Sequence, residues 1–266
     1  MTSPASLLIV GCGNMGGAML AGWLAGKAAL AITVVDPAVA QMPAGVRLLR
    51  EVPDEQFDWV LLGVKPQALD LAAPALAGVL TGTAVLLSIL AGAELASLAA
   101  RFPAAGTIVR VMPNLAAAIG KSPLGLYAGA IDAATKARID ALLAPLGTPE
   151  WLASEAQLDA VTALAGSGPA FVYRFIAAMS AGGAGLGLDP AQADRLARAT
   201  VEGAALLAAA APQTPAELAQ RVTSPGGTTA AGLAVIDADA ALDRLIGATL
   251  RAARDRGAQL AAAARN

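Results

Sequence analysis

A chain of 266 residues is long enough to bury a core and to divide it between two modest domains. With 18 basic and 20 acidic residues, a net charge of −2, it lacks the basic footprint of a nucleic-acid-binding protein. It contains no histidine, which removes imidazole acid–base catalysis, Ser-His-Asp triads and histidine metal sites, and its single cysteine, Cys12, permits no internal disulfide.

In chain order, residues 1–6 carry no basic region ahead of an apolar core, so no signal peptide is expected; with one cysteine, this points to the cytoplasm. The apolar runs 7–10, 32–35, 60–64, 84–90 and 107–111 are continuous rather than alternating, the pattern of strands covered on both faces. Between them, 16–26, 66–80 and 94–101 are helical in spacing or composition. Strand–helix alternation of this kind predicts an α/β Rossmann domain with a doubly wound, mostly parallel sheet. A last strand–helix–strand unit, 124–127, 133–143 and 150–152, closes this half.

Strand signals stop after Trp151. Ser154 with Gln157, Asp189 before Pro190, and Thr214 before Pro215 with Glu217 are helix-start patterns, the last a capping box, and long helices are expected at 195–211 and 239–264. The predicted domains are therefore 1–152, dinucleotide-binding, and 153–266, all-helical. Two apolar stretches invite comparison with membrane spans. Residues 70–94 are broken by Pro74, Gly78 and Gly82, and 163–188 contain Arg174, Pro169 and Gly182-Gly183. The second is read as a helix buried in a protein–protein interface, so no membrane association is expected.

Gly11-Cys12-Gly13-Asn14-Met15-Gly16 follows a predicted strand and opens a helix, where glycine lets the chain turn sharply and bring its backbone to a pyrophosphate. Asp36 ends the next strand, twenty positions after Gly16 (36 − 16), where a carboxylate can bind a ribose 2′-hydroxyl. Val64-Lys65-Pro66, Ala91 with Gly92, and Met112-Pro113-Asn114 follow other strands, at the edge where open α/β sheets bind ligands. In the helical half, Ser224-Pro225-Gly226-Gly227-Thr228-Thr229 precedes an apolar stretch; Ser224 can cap, Pro225 can start a turn, and N–H groups from Gly226 onward suit a carboxylate. Gly166-Ser167-Gly168-Pro169 has no strand before it and is read as a close helix–helix contact, with Pro169 at the first turn of the next helix.

Together these blocks resemble the pyrroline-5-carboxylate reductase family along nearly the whole chain. The resemblance is carried by Gly11 to Gly17, Val64-Lys65-Pro66-Gln67, Arg110-Val111-Met112-Pro113-Asn114, Asp159-Ala160-Val161-Thr162, Ala165-Gly166-Ser167-Gly168-Pro169-Ala170, and Val222 through Thr229. It implies NAD(P)H-dependent hydride transfer to 1-pyrroline-5-carboxylate, giving L-proline, by a Rossmann domain followed by an all-α dimerisation domain. The implied assembly is a homodimer, and family members commonly build larger rings from such dimers. The substrate carboxylate is implied to sit on the loop of Ser224, Gly226, Gly227, Thr228 and Thr229. Thr229 is implied to reach the ring nitrogen, and Glu155 to match a glutamate near the substrate amine. Gly11, Gly13, Asn14, Met15, Gly16, Asp36, Val64, Lys65, Pro66, Ala91 and Asn114 form the expected cofactor site, with no metal. Leu115 stands where the family usually has threonine.

The closest rival is a β-hydroxyacid dehydrogenase, which needs a lysine on the helix after a second glycine motif; here that helix offers Arg174, and no lysine follows Lys136. A non-catalytic NAD(P)-binding protein is the other alternative. On charge alone, Asp36 with no basic residue in 37–41 leans the cofactor toward NADH, while the resemblance leaves NADPH open.

Overall fold

The structure, a computed structural model, describes residues 4–263. Eight strands form one sheet: β1 (Ala5–Val10), β2 (Leu30–Val35), β3 (Arg47–Leu49), β4 (Trp59–Leu62), β5 (Val85–Ser88), β6 (Thr107–Met112), β7 (Ser122–Ala128) and β8 (Gly147–Trp151). Their order is β3-β2-β1-β4-β5-β6-β7-β8, and every pair is parallel except β6 with β7. Strand order reverses between β1 and β4, the crevice where doubly wound sheets bind ligands. Register levels the carboxyl ends there, since Val10 lies beside both Val35 and Leu62, and Leu62 beside Ser88.

Alternate residues of the continuous apolar runs serve opposite faces. Leu7, Ile9 and Leu61 join Trp23 and Leu143 in one core, while Leu8, Val10, Val60 and Leu62 join Leu76, Leu98 and Phe102 in the other. Each such side chain, fully buried, contributes about 1.5–3 kcal/mol of transfer free energy. The covering helices are α1 (Asn14–Ala25), α2 (Leu69–Leu76), α3 (Leu95–Arg101) and α4 (Ala133–Leu143). Burying Trp23 leaves an indole N–H to satisfy, and it donates to the Leu142 carbonyl at 2.8 Å.

The chain divides into two compact units. One runs from the N-terminus to Gly166 and takes in the chain from Ala253 onward; the other is 167–252. The change to helices comes after Trp151, as composition indicates, yet the first unit continues past the expected boundary at 152. The reason is packing: α5 (Gln157–Val161) lies on β7, and the π-helical turn Thr162–Gly166 lies on β6.

The second unit comprises α6 (Gly168–Gly185), α7 (Pro190–Ala210), α8 (Pro215–Arg221), α9 (Thr228–Ile236) and the start of α10 (Ala241–Ala263). The expected starts at Asp189 and Thr214 are present: Asp189 accepts from Gln192 N, and Thr214 with Glu217 makes both halves of a capping box. Helices α6 and α7 pack closely enough that a methyl group on Gly183 would lie 3.4 Å from Ala193 Cβ. Otherwise α6 buries no residue within the chain. Among the described residues one helical run, Gln157–Gly185, is long and apolar enough by length and composition to cross a bilayer.

Some expectations need correction. The helix expected over 66–80 is a 3-10 turn, Pro66–Ala68, and then only α2. The single helix expected over 163–188 is interrupted by the π turn and Ser167 before α6 begins. The helix expected over 239–264 starts at Ala241, because Asp239 and Ala240 have φ of +50° and +52°, and Ala264 lies outside the described residues.

Candidate active site

At the end of β1, Gly11 has φ +87°, and a methyl group there would meet Gly63 C, Gly63 O and Val64 N at 2.8 Å. The backbones after β1 and β4 are in direct contact, so a side chain at Gly11 is excluded both by space and by conformation. Gly16 is equally confined, its missing methyl falling 2.6 Å from the Gly11 carbonyl. Gly13 differs, since nothing lies within 4 Å of where its methyl would be. This open glycine is the N-cap of α1, has no side-chain capping bond, and precedes a first turn without an acidic residue. The N–H groups of Asn14, Met15 and Gly16 are therefore donors for an anion approaching over Gly13. A dinucleotide pyrophosphate fits this cradle.

Asp36 is 9% exposed, and both its carboxylate oxygens are engaged by backbone: Oδ2 accepts from Cys12 N at 2.7 Å and Oδ1 from Ala38 N at 2.8 Å. It pins the glycine loop to the end of β2 while folding its own turn. Burial, and next the Asp36 charge, push the Cys12 thiol above its usual range. Arg50 Nη1 donates to the carbonyls of Asp36, Pro37 and Val39 at 3.0, 3.1 and 2.5 Å, so a guanidinium braces the same loop. Arg47 instead pairs with Glu55 at 2.8 Å.

The other expected cofactor residues lie along the same carboxyl edge of the sheet. Val64 is half-buried and Lys65 exposed, ahead of the turn that Pro66 opens. Ala91 is exposed beside the left-handed Gly92, φ +79°. Asn114 is buried and committed to the protein: Oδ1 caps the 3-10 helix Leu115–Ile119 through Ala116 N, and Nδ2 donates to Ala165 O at 3.0 Å. These bonds leave Asn114 shaping the end of β6.

Glu155 accepts at Oε1 from Arg110 Nη1 at 2.7 Å and from Leu95 N, the first turn of α3, at 2.6 Å. Gly92, Glu94, Arg110, Glu155, Ala156 and Asp159 line a cleft of about 370 Å³. Sequence reading gave Arg110 no role. The signal was present, because a guanidinium inside a strand buried on both faces requires a partner.

In the second unit, Ser224-Pro225-Gly226-Gly227 is a tight turn closed by Gly227 N to Ser224 O at 3.0 Å, with Gly226 left-handed at φ +69°. Proline followed by a left-handed glycine is the type II turn combination. The turn expected at Pro225 is present and the cap at Ser224 is not: the N-cap of α9 is Gly227, with no side-chain capping bond. A methyl on Gly227 would fall against the Ser224 hydroxyl. Thr228 and Thr229 begin α9, so their unpaired N–H groups and hydroxyls are displayed together.

A doubly wound sheet with a glycine cradle at its switch point, followed by a helical unit with an uncapped helix start, defines a dinucleotide-binding class of α/β protein. The chain belongs to the pyrroline-5-carboxylate reductase family: the Pseudomonas aeruginosa pyrroline-5-carboxylate reductase is 38% identical over 270 residues, covering 98% of each chain. The family model for pyrroline-5-carboxylate reductase dimerisation matches residues 155–260. The structure of a pyrroline-5-carboxylate reductase from Coxiella burnetii superposes with TM-score 0.87 at 27% identity, over 97% of this chain and 99% of that one. The Plasmodium falciparum pyrroline carboxylate reductase, solved with NADP bound, shares the fold at TM-score 0.78 and 23% identity, over 97% and 98%. The protein is an oxidoreductase of this family, and its helical half carries the family's dimerisation domain. Neither the β-hydroxyacid dehydrogenase nor the non-catalytic reading survives this membership.

Proposed function

We propose that the chain reduces the C=N bond of 1-pyrroline-5-carboxylate to L-proline, with binding and chemistry divided between its two ends. The observation that carries the division of labour is the start of α9, where a glycine N-cap leaves backbone N–H groups for a carboxylate beside Thr229. When bound, reduced nicotinamide supplies the hydride. Gly13, Asn14, Met15 and Gly16 hold its pyrophosphate; Val64, Lys65 and Ala91 border the rest of it, with Pro66 and Asn114 shaping those loops.

Gly226 and Thr228 fix the substrate carboxylate, and the turn that the Gly227 N–H closes on the Ser224 carbonyl sets their orientation. Thr229 holds the ring nitrogen through its hydroxyl. As a C–H bond forms at the imine carbon, the C=N π pair becomes the nitrogen lone pair. A protonated imine needs no further proton in that step, and a neutral one draws it through Thr229 from solvent. Orientation rather than a strong acid carries the rate, which suits a chain without histidine.

For the cofactor, the Asp36 carboxylate disfavours a 2′-phosphate, and Arg50 Nη1 is occupied by three carbonyls, so NADH is the proposed preference. The apolar faces of α6 and α7 are read as parts of a homodimer in the cytoplasm, with the run Gln157–Gly185 covered by a twin rather than by lipid. The test is loss of NADH or NADPH absorbance with and without 1-pyrroline-5-carboxylate. Oxidation no faster than the blank would sink the proposal.

A further inference from the structure

We propose that Arg110 is a positioning residue for the loop between β5 and α3, acting through Glu155 and placing Ala91 and Gly92 against the nicotinamide. The proposal rests on the reading of Ala91 as a cofactor-lining residue. Arg110 is 8% exposed and lies between Val109 and Val111, which are buried in the core. A charge so placed is tolerated only when paired, and breaking such a pair from one side leaves an uncompensated ion. Its partner oxygen, Glu155 Oε1, is the same atom that accepts from Leu95 N. One carboxylate oxygen thus joins the middle of β6 to the first turn of α3.

The other end of the loop is referenced to the same strand position. Ser88, the last residue of β5, lies beside Arg110 in the β5–β6 register and is 2% exposed. Residues 89–94 therefore leave the sheet next to Arg110 and rejoin the fold at a backbone N–H whose acceptor Arg110 holds. Within that span lie Ala91 and the left-handed Gly92, and Gly92 shares the wall of the cleft with Arg110 and Glu155. Without the guanidinium, Glu155 turns to water, and the Leu95 N–H loses its fixed acceptor. The loop then samples more positions. Hydride transfer is sensitive to donor–acceptor placement on the scale of an ångström, so the loss falls on turnover and on cofactor binding rather than on substrate binding.

The experiment uses the full-length enzyme with Arg110→Met, Arg110→Lys, Glu155→Gln and Ala91→Leu. Nucleotide Kd is measured by nicotinamide fluorescence without substrate, alongside kcat, both KM values and the thermal midpoint without cofactor. Arg110→Met is expected to lower kcat by about tenfold to a hundredfold and to raise the NAD(P)H Kd severalfold, with the KM for 1-pyrroline-5-carboxylate nearly unchanged. Lysine restores part of the loss, and the Arg110→Met, Glu155→Gln double variant is no worse than the worse single one, as for groups acting as a unit. If Arg110→Met does not fold, Glu155→Gln carries the same readouts. A fall in thermal midpoint with Kd and kcat untouched overturns the positioning role. So does Glu155→Gln raising substrate KM alone, which would put Glu155 on the substrate. Ala91→Leu separates the two layers: if it leaves nucleotide Kd and kcat unchanged, the loop is not at the nicotinamide and the underlying reading fails.

Discussion

Gly11 and Gly13 sit two residues apart and answer to different forces. Alanine at Gly11 would need φ near +87° and would press on the Gly63 backbone, costing about 1–3 kcal/mol from overpacking alone. At Gly13, φ is −70° and the space is open, so Gly13→Ala should leave the thermal midpoint within error while raising the NAD(P)H Kd severalfold. Equal effects of the two substitutions on stability would contradict this reading. Thr229→Ala should lower kcat/KM by about tenfold to a thousandfold, the scale of one positioned hydrogen bond or proton donor; unchanged kinetics would remove the residue from the mechanism. Asp36 is the specificity test. Wild type is expected to favour NADH in kcat/KM, and Asp36→Ser to move the ratio toward NADPH. A strong wild-type preference for NADPH, or an unmoved ratio, would leave Asp36 only its bonds to Cys12 and Ala38.

At the scale of elements, legibility followed burial. Strands β1, β2 and β4 to β6 showed in the sequence because their runs face two cores and carry few polar residues. Strand β3 did not: it has three residues, begins with an arginine, and lies at the sheet edge half-exposed. The π turn Thr162–Gly166 has no compositional signature, and so the apolar stretch around it read as one helix. Ser224 reads equally as a capping residue or as the first residue of a Pro-Gly turn, because the two look alike in sequence; the left-handed Gly226 makes it the turn and moves the cap to Gly227. Likewise the bond from Leu95 N to Glu155 spans sixty residues, a separation no local pattern encodes. The foot of the sheet offers a pH test. The Ser6 N–H, and with it the Ser6 hydroxyl, holds the Asp58 carboxyl below its usual range against a smaller opposing effect of burial. A depressed folded value adds stability above the unfolded-state range and loses it as pH falls through the folded one. Asp58→Asn should therefore flatten the acid limb of the stability profile, the two proteins converging at low pH. Parallel acid limbs would refute the linkage.

For the whole molecule, the exposed apolar side chains decide the assembly. Val172, Tyr173 and Phe175 on α6 and Leu206 and Leu207 on α7 are all exposed within one chain, far beyond what a small monomer leaves to water. Residues 155–260 match the family's dimerisation model, and symmetric pairing covers such faces on both copies. Sedimentation at micromolar concentration should show a dimer or a larger species; a stable monomer would contradict the pairing.

The helix that buries nothing within its own chain, α6, also bears on how the protein comes to exist in a cell. A newly made copy can complete its sheet alone, because both cores there are formed by one chain. On the dimer reading, its helical portion gains the burial it lacks only on meeting another copy. Maturation thus has a second-order step, slow when synthesis is sparse and fast when it is abundant, and until then an apolar surface stays open to chaperones, proteases and wrong partners. Abundance would respond more than proportionally to expression, and truncated copies that keep the helices would draw intact ones into mixed assemblies.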